Sequence, residues 1–157
     1  MAWARRYKTA RGETVRSRFE KTVLDDLDDR GVAYDYEPGS YDWWDESQKG
    51  LVCFDCGSRA VKKARSYTPD AHVQYVRASS VGPIETGFLL EIKGRLTVDD
   101  RTTLEGVKRQ SPSLDLRVLF MRDNPIRPKS KTRYSDWARK AGFPYHVGAK
   151  VPEEWLK

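Results

Sequence analysis

Gly87-Phe88-Leu89-Leu90-Glu91-Ile92-Lys93-Gly94 is the stretch on which the reading of the fold depends. It predicts a short buried strand over residues 87 to 93 with two charges near its end. Side chains of a strand alternate between faces, so Phe88, Leu90 and Ile92 share one face. Leu89, Glu91 and Lys93 share the other. A carboxylate and an ammonium two residues apart are costly to bury in so apolar a strand unless paired or bound to something. A Glu-Lys pair at the fraying end of an edge strand would meet that need structurally. A functional reading requires a second piece, and Tyr67-Thr68-Pro69-Asp70 supplies one upstream.

The second strand is predicted over Thr68 to Val76, with Ala71, Val73 and Tyr75 on one face and Asp70, His72 and Gln74 on the other. A turn with Ser79-Ser80 and Gly82-Pro83 then leads into the strand at 87, so the two form a hairpin with Asp70 and Glu91 on neighbouring strands. Pro69-Asp70, a gap of twenty residues (71 to 90) and Glu91-Ile92-Lys93 together make the PD-(D/E)xK pattern. Phosphodiester hydrolysis needs negative charge neutralised at phosphorus and a hydroxide delivered in line. Asp70 and Glu91 offer hard oxygen ligands suited to Mg²⁺ or Mn²⁺, and the Ile92 carbonyl can join them. Lys93, on the face of Glu91, can orient or deprotonate the water and steady the phosphate. The four residue types are common, so the strand context, Gly94 and a basic chain carry as much of the argument as the pattern.

The chain of 157 residues is basic, with 29 Lys and Arg against 23 Asp and Glu and a net charge of +6. That charge favours a polyanionic partner. No apolar run approaches the roughly 18 residues needed to span a membrane. The basic N-terminus is followed by no apolar segment of the kind a secretory signal requires. Two cysteines fit a reducing, cytoplasmic setting. Cys53-Phe54-Asp55-Cys56-Gly57 has the look of half a zinc knuckle, yet four ligands are needed and only His72 and His146 remain. Two ordinary thiols are the expectation, and a zinc site completed by a second subunit the alternative.

Residues 1 to 15 read as a flexible basic arm. A helix is predicted from about Ser17 to Arg30, with Phe19, Val23, Leu24 and Leu27 at helical spacing and Gly31 as its stop. Ser17 and Glu20 form a capping box, which explains Glu20 structurally. Val32 to Glu37 alternates as a strand ended by Pro38-Gly39. From Pro38 to Ser66 no regular pattern holds apart from a short apolar piece at Lys49 to Val52, so this is a long connection. Thr97 to Arg109 is a helix capped by Thr97 and Asp100, Leu114 to Met121 a central strand, and Tyr134 to Ala141 a helix stopped by Gly142. The order implies a mixed α/β sheet flanked by helices.

Stretches along nearly the whole chain resemble the endonuclease I family of the T-odd phages, the Holliday-junction-resolving branch of the PD-(D/E)xK nucleases. They are Arg16-Ser17-x-x-Glu20-Lys21-x-Val23, Arg30-Gly31-Val32-Ala33-Tyr34-Asp35-Tyr36-Glu37 and Tyr67-Thr68-Pro69-Asp70. They continue with Glu91-x-Lys93-Gly94, Asp99-Asp100-Arg101, Pro112-x-Leu114-Asp115-x-Arg117-Val118-x-Phe120 and Val151-Pro152-x-Glu154-Trp155. The resemblance implies a restriction-endonuclease-like core in a single nuclease domain over residues 16 to 157, and a catalytic set of Glu20, Asp70, Glu91 and Lys93. It implies two Mg²⁺ or Mn²⁺ ions per site, with Glu20 helping to hold the second. The family has a glutamate where this chain has the shorter Asp35, a further candidate for the site. The resemblance also implies a homodimer with swapped segments, in which the first helix and strand of one subunit complete the site of the other and residues 38 to 66 form the bridge. That bridge is longer than the family's usual one and carries the two cysteines.

The expected substrate is branched DNA, four-way junctions above all, with no small-molecule substrate and no membrane. Recognition would then rest on shape and phosphate position. Candidate phosphate contacts are Arg16, Lys62, Lys63, Arg65, Arg95 and Arg109. Two other readings fit the same residues: a sequence-specific, restriction-type nuclease, and a DNA-binding protein without catalysis.

Overall fold

The computed structural model describes residues 6–46, 55–56 and 63–157. The chain begins with a small hairpin of β1 (Tyr7–Lys8) and β2 (Thr14–Val15), followed by α1 (Arg18–Asp29), β3 (Ala33–Tyr36) and β4 (Tyr41–Asp45). It continues with β5 (Lys63–Tyr67), β6 (Ala71–Arg77), β7 (Ile84–Lys93), α2 (Val98–Gln110) and β8 (Leu116–Phe120). It closes with α3 (Tyr134–Ala141), β9 (Tyr145–Val147) and a 3₁₀ turn at Glu153–Leu156. The central sheet runs β3-β6-β7-β8-β9. β3, β6 and β7 pair antiparallel, while β7–β8 and β8–β9 are parallel, which makes the expected mixed α/β sheet.

The alternation in β7 divides the core as its sequence predicts. Phe88, Leu90 and Ile92 pack with Val23, Leu24 and Leu27 of α1 and with Val15, Val73 and Leu119. Leu89 faces the opposite layer, where Leu104 and Val107 of α2 meet Trp43, Val118, Phe120, Tyr134 and Trp137. A fully buried Leu or Phe contributes about 1.5–3 kcal/mol relative to exposure, so both layers hold the central strand. The face carrying Glu91 and Lys93 therefore lies on the α2 side.

Three expectations change. The described part of the basic arm is structured: β1 pairs with β2, Val15 is fully buried, and Asp25 of α1 accepts a hydrogen bond from the Ala10 N–H. Val15 is the single large apolar side chain late in the stretch, and burying it anchors the segment. The connection 38 to 66 holds a strand pair, β4 against β5, with Tyr41 opposite Tyr67 and Asp45 opposite Lys63. The pair is stabilised by packing on α2, where the Trp43 ring lies flush on Gly106: a Cβ there would sit 2.3 Å from the ring. The expected short strand at Lys49 to Val52 lies outside the described residues. Finally, β9 is too short to leave a periodic signal and exists through its parallel pairing with β8.

The helix caps are close to those expected. Thr97 and Asp100 form a reciprocal capping box, and Gly142 ends α3 in the left-handed conformation that glycine adopts without steric cost. At α1 the Ser17 hydroxyl accepts from the Glu20 N–H as predicted, but the Glu20 carboxylate accepts from the Arg16 N–H, not that of Ser17. Among the described residues, no helix is long and apolar enough to cross a membrane.

Candidate active site

β6 begins at Ala71, which pairs with Leu90, so Asp70 stands at the strand entrance beside Glu91. The strand pairing stops there, and the Ile92 N–H donates to the Asp70 side chain at 2.7 Å. Glu91 is 4% exposed. Its two oxygens are taken by different partners: the Tyr67 hydroxyl donates to one at 2.5 Å, and the Lys93 ammonium pairs with the other at 2.7 Å. Lys93 also reaches the Asp100 carboxylate in the first turn of α2, at 2.9 Å. The other Asp100 oxygen is held by the Thr97 N–H at 2.7 Å and the Thr97 hydroxyl at 2.6 Å.

These surroundings set the protonation states. Burial raises the Asp70 carboxyl well above the usual carboxylate range and the charge of Glu91 adds to it, against the Ile92 N–H and Lys93. Burial raises Glu91 too, and Lys93 and Tyr67 oppose it. For Lys93, burial would lower the pKa, but Glu91 and Asp100 outweigh it and hold the group firmly protonated. Burial and the neighbouring Glu91 likewise keep the Tyr67 phenol un-ionised. Asp100 moves the other way: burial opposes, but hydrogen bonds from Thr97 and Lys93 hold its carboxyl below the ordinary value. Two acids that resist ionisation beside one that does not mark an excess of buried negative charge, the condition that a bound cation relieves.

Glu20 is also buried and approaches from α1. The Tyr36 hydroxyl donates to it at 3.3 Å, and its charge is felt at Asp70. Burial and the Glu20 charge push the Tyr36 phenol up to about 12. Glu20, Asp70, Glu91 and Lys93 are thus brought to one end of the sheet within a single chain. Among the described residues no three His, Cys, Asp or Glu side chains are spaced to share a metal ion. Asp70 and Glu91 are the paired carboxylates at this point, and Glu20 borders them.

Asp35 is not brought there. Tyr34 and Tyr36 flank it toward α1, and Asp35 points to the opposite side, where Gln74 donates to its carboxylate at 2.7 Å. His72 and His146 stand on β6 and β9, with β7 and β8 between them, and Cys56 is exposed, so the described residues assemble no zinc site. Cys53 and Lys62 lie outside the described residues.

Of the proposed phosphate contacts, Arg65 is committed elsewhere: it pairs with the buried Asp45, makes two hydrogen bonds to Asp99 and lies over the Trp43 ring. Arg16 pairs with Glu37, and Arg109 with Glu46 at 3.4 Å. Lys63 and Arg95 are exposed, Arg95 two residues beyond Lys93. A separate groove of about 760 Å³ between α2 and α3, away from the carboxylates, is lined in part by Arg101, Lys108, Arg109 and Lys140. Two residues in contact with Glu91 and Lys93 carried no chemical signal in the sequence. Tyr67 stood next to the motif without a role, and Asp100 was accounted for as a cap.

The chain is similar to known phage proteins. The chain is 26% identical over 144 residues to Endodeoxyribonuclease 1 of Enterobacteria phage T3, covering 91% of this chain and 78% of that protein. It is 26% identical over 143 residues to Endonuclease I of Escherichia phage T7, covering 90% of this chain and 78% of that one. Residues 60–157, which hold Tyr67, Asp70, Glu91, Lys93 and Asp100, match the family model for phage endonuclease I. The chain belongs to the phage endonuclease I family.

Proposed function

We propose that this chain is a metal-dependent DNA endonuclease of the PD-(D/E)xK type that cuts branched DNA, resolving four-way junctions. The observation that carries the reading is the Asp70–Glu91–Lys93 cluster, two carboxylates with raised pKa values and a firmly protonated lysine at one end of a sheet. The name of the phage T3 relative, an endodeoxyribonuclease, and a net charge of +6 make DNA the matching polyanion.

The donor chemistry fits Mg²⁺ or Mn²⁺, which take hard oxygen ligands, and Asp70, Glu91 and the Ile92 carbonyl would hold the ion. When bound, it supplies positive charge against the scissile phosphate and lowers the pKa of the attacking water. The protein's own part is positioning. The Ile92 N–H fixes the Asp70 carboxylate and the Tyr67 hydroxyl fixes that of Glu91. Lys93, held protonated by two carboxylates, acts as a cation toward a phosphate oxygen or as an orienting donor to water. It is not a ready base. Glu20, at the border of the site, is the candidate ligand for a second ion.

Two strands must be cut to resolve a junction, and a twofold homodimer presents two sites for that purpose. The α1–β3 segment lies against β6 of the same chain. Exchange of that segment between two chains across residues 38 to 66 would keep the same contacts and leave each site with Glu20 from the partner. Arg95 and Lys63 are the exposed cations best placed to meet phosphates.

The test is cleavage of a four-way junction and its matching linear duplex, each in Mg²⁺ and in EDTA. Cutting of the junction in Mg²⁺ alone, abolished in Asp70→Ala and Lys93→Ala while binding persists, is the expected result. Site-specific cutting of the linear duplex with no preference for the junction would make it a restriction-type enzyme. Salt-sensitive binding without cutting in any divalent metal would make it a DNA-binding protein.

A further inference from the structure

We infer that Asp100 is a positioning residue for the active-site lysine, delivered by the first turn of α2. The inference rests on the nuclease reading above and adds a residue to it. Lysine has more rotamer freedom to lose than most side chains. A single contact to Glu91 would leave the ammonium free to swing about one partner. Here it is held from two sides, by Glu91 at 2.7 Å and Asp100 at 2.9 Å. An ammonium has three donors, so two are used and the third is left for a phosphate or a water.

Asp100 is itself fixed. One oxygen is bound by both the main chain and the hydroxyl of Thr97, which turns the other toward Lys93. The N-terminus of a helix also favours a carboxylate. The neighbouring Asp99 ties the same turn to Arg65 of β5. The start of α2 is thereby anchored to both strands that carry the site, β5 with Tyr67 and β7 with Glu91 and Lys93.

The carboxylate half of this cap occurs in α3 without this consequence, with Arg133 at the N-cap and no side-chain hydroxyl to join it. Asp136 accepts from the Arg133 N–H at 2.9 Å, as Asp100 does from Thr97, but its other oxygen meets only the exposed Arg139. Capping therefore does not require the lysine contact, and the two roles of Asp100 are separable.

The experiment compares Asp100→Asn with Asp136→Asn in the full chain, using junction cleavage in Mg²⁺. Asparagine can still accept from Thr97 but offers no negative charge to Lys93. Asp100→Asn is expected to lower kcat by about 10- to 100-fold with KM within about twofold, because small displacements at a reacting centre carry costs of that size. Asp136→Asn is expected to keep the wild-type kcat. A second readout needs no turnover: the ¹⁵Nζ–H₃⁺ NMR signal of Lys93, assigned through Lys93→Ala, should be sharp in the wild type and broadened in Asp100→Asn. Should Asp100→Asn fail to fold, Asp100→Glu keeps the charge, displaces it by one methylene and should still lower kcat. Wild-type kcat in a folded Asp100 variant, or an unchanged Lys93 signal, overturns the role of Asp100 alone. Absence of cleavage by the unchanged protein overturns the nuclease reading and the role together.

Discussion

Glu91 and Asp35 are both carboxylates on strands of one sheet, separated by β6, yet their surroundings differ in every respect that matters to chemistry. Glu91 is buried, bonded by a phenol and an ammonium, and beside a second, half-buried acid. Asp35 is exposed and shares its oxygen with a glutamine amide. The contrast separates an acid whose surroundings suit catalysis from one whose surroundings do not. Exclusion from water makes each neighbouring charge count, and several groups must converge on the same small volume. An exposed acid with a neutral partner has neither property.

The contrast is broken first at Glu91. Glu91→Gln keeps the shape and the Tyr67 contact but removes the charge that pairs with Lys93 and would hold a cation. Cleavage of a four-way junction in Mg²⁺ should fall by about 10³-fold, the scale of losing a preorganised electrostatic contact at a reacting centre. Single-turnover kinetics at saturating protein would measure it. A fall of less than tenfold would place the chemistry elsewhere.

Asp70 gives an effect on stability of opposite sign. Its folded-state pKa is raised, so the folded chain binds a proton more readily than the unfolded chain. The associated stability is fully present below the unfolded pKa and is lost as pH rises through the folded one. At neutral pH the folded chain is therefore penalised by a charge that the proposed metal-dependent chemistry would use. Asp70→Asn should melt higher than the wild type at neutral pH, by on the order of a few degrees, with the gap closing on acidification. Mg²⁺ should raise the Tm of the wild type and leave the variant nearly unmoved, since only a ligand bound to the folded state stabilises it. A variant that melts lower at neutral pH would show Asp70 to be a stabilising partner instead.

What could be read from the sequence and what could not follow the same division between local and distant causes. The three helices, their caps and the face pattern of β7 depend on spacing within a dozen residues, and the structure keeps them within a residue or two. Asp70, Glu91 and Lys93 were legible because they sit at the ends of two strands paired in a hairpin. The β4–β5 pair was not, because its strands lie on either side of residues 46 to 62 and Trp43 finds its cavity only over Gly106 of a helix sixty residues later. Tyr67 and Asp100 were hidden for another reason. Asp100 already had a local explanation as a helix cap, Tyr67 lies just ahead of the strand predicted from Thr68, and only the folded chain shows their contacts with Lys93 and Glu91. Local sufficiency of that kind conceals a long-range contact as effectively as a missing motif.

Asp35 is the smallest expected effect and the sharpest test of the comparison. The resemblance to the endonuclease I family points to a carboxylate at this position in the active site, whereas the side chain here turns to Gln74 on the far side of β3. A strand has two faces, and Tyr34 and Tyr36 occupy the one toward α1 and Glu20. Moving Asp35 to that face would require a shift of the register by one residue. That shift would expose Tyr34, now 3% exposed and hydrogen-bonded to Asp28. Burial of a tyrosine outweighs one exposed hydrogen bond between a carboxylate and an amide. The register should therefore hold, and Asp35→Ala should change stability by no more than about 0.5 kcal/mol, as for an ordinary surface site. Its rate of junction cleavage should stay within about twofold of the wild type. A loss approaching that of Glu91→Gln would mean that β3 meets the DNA-bound site through its other face, and the present separation of the two carboxylates would then describe only the DNA-free chain.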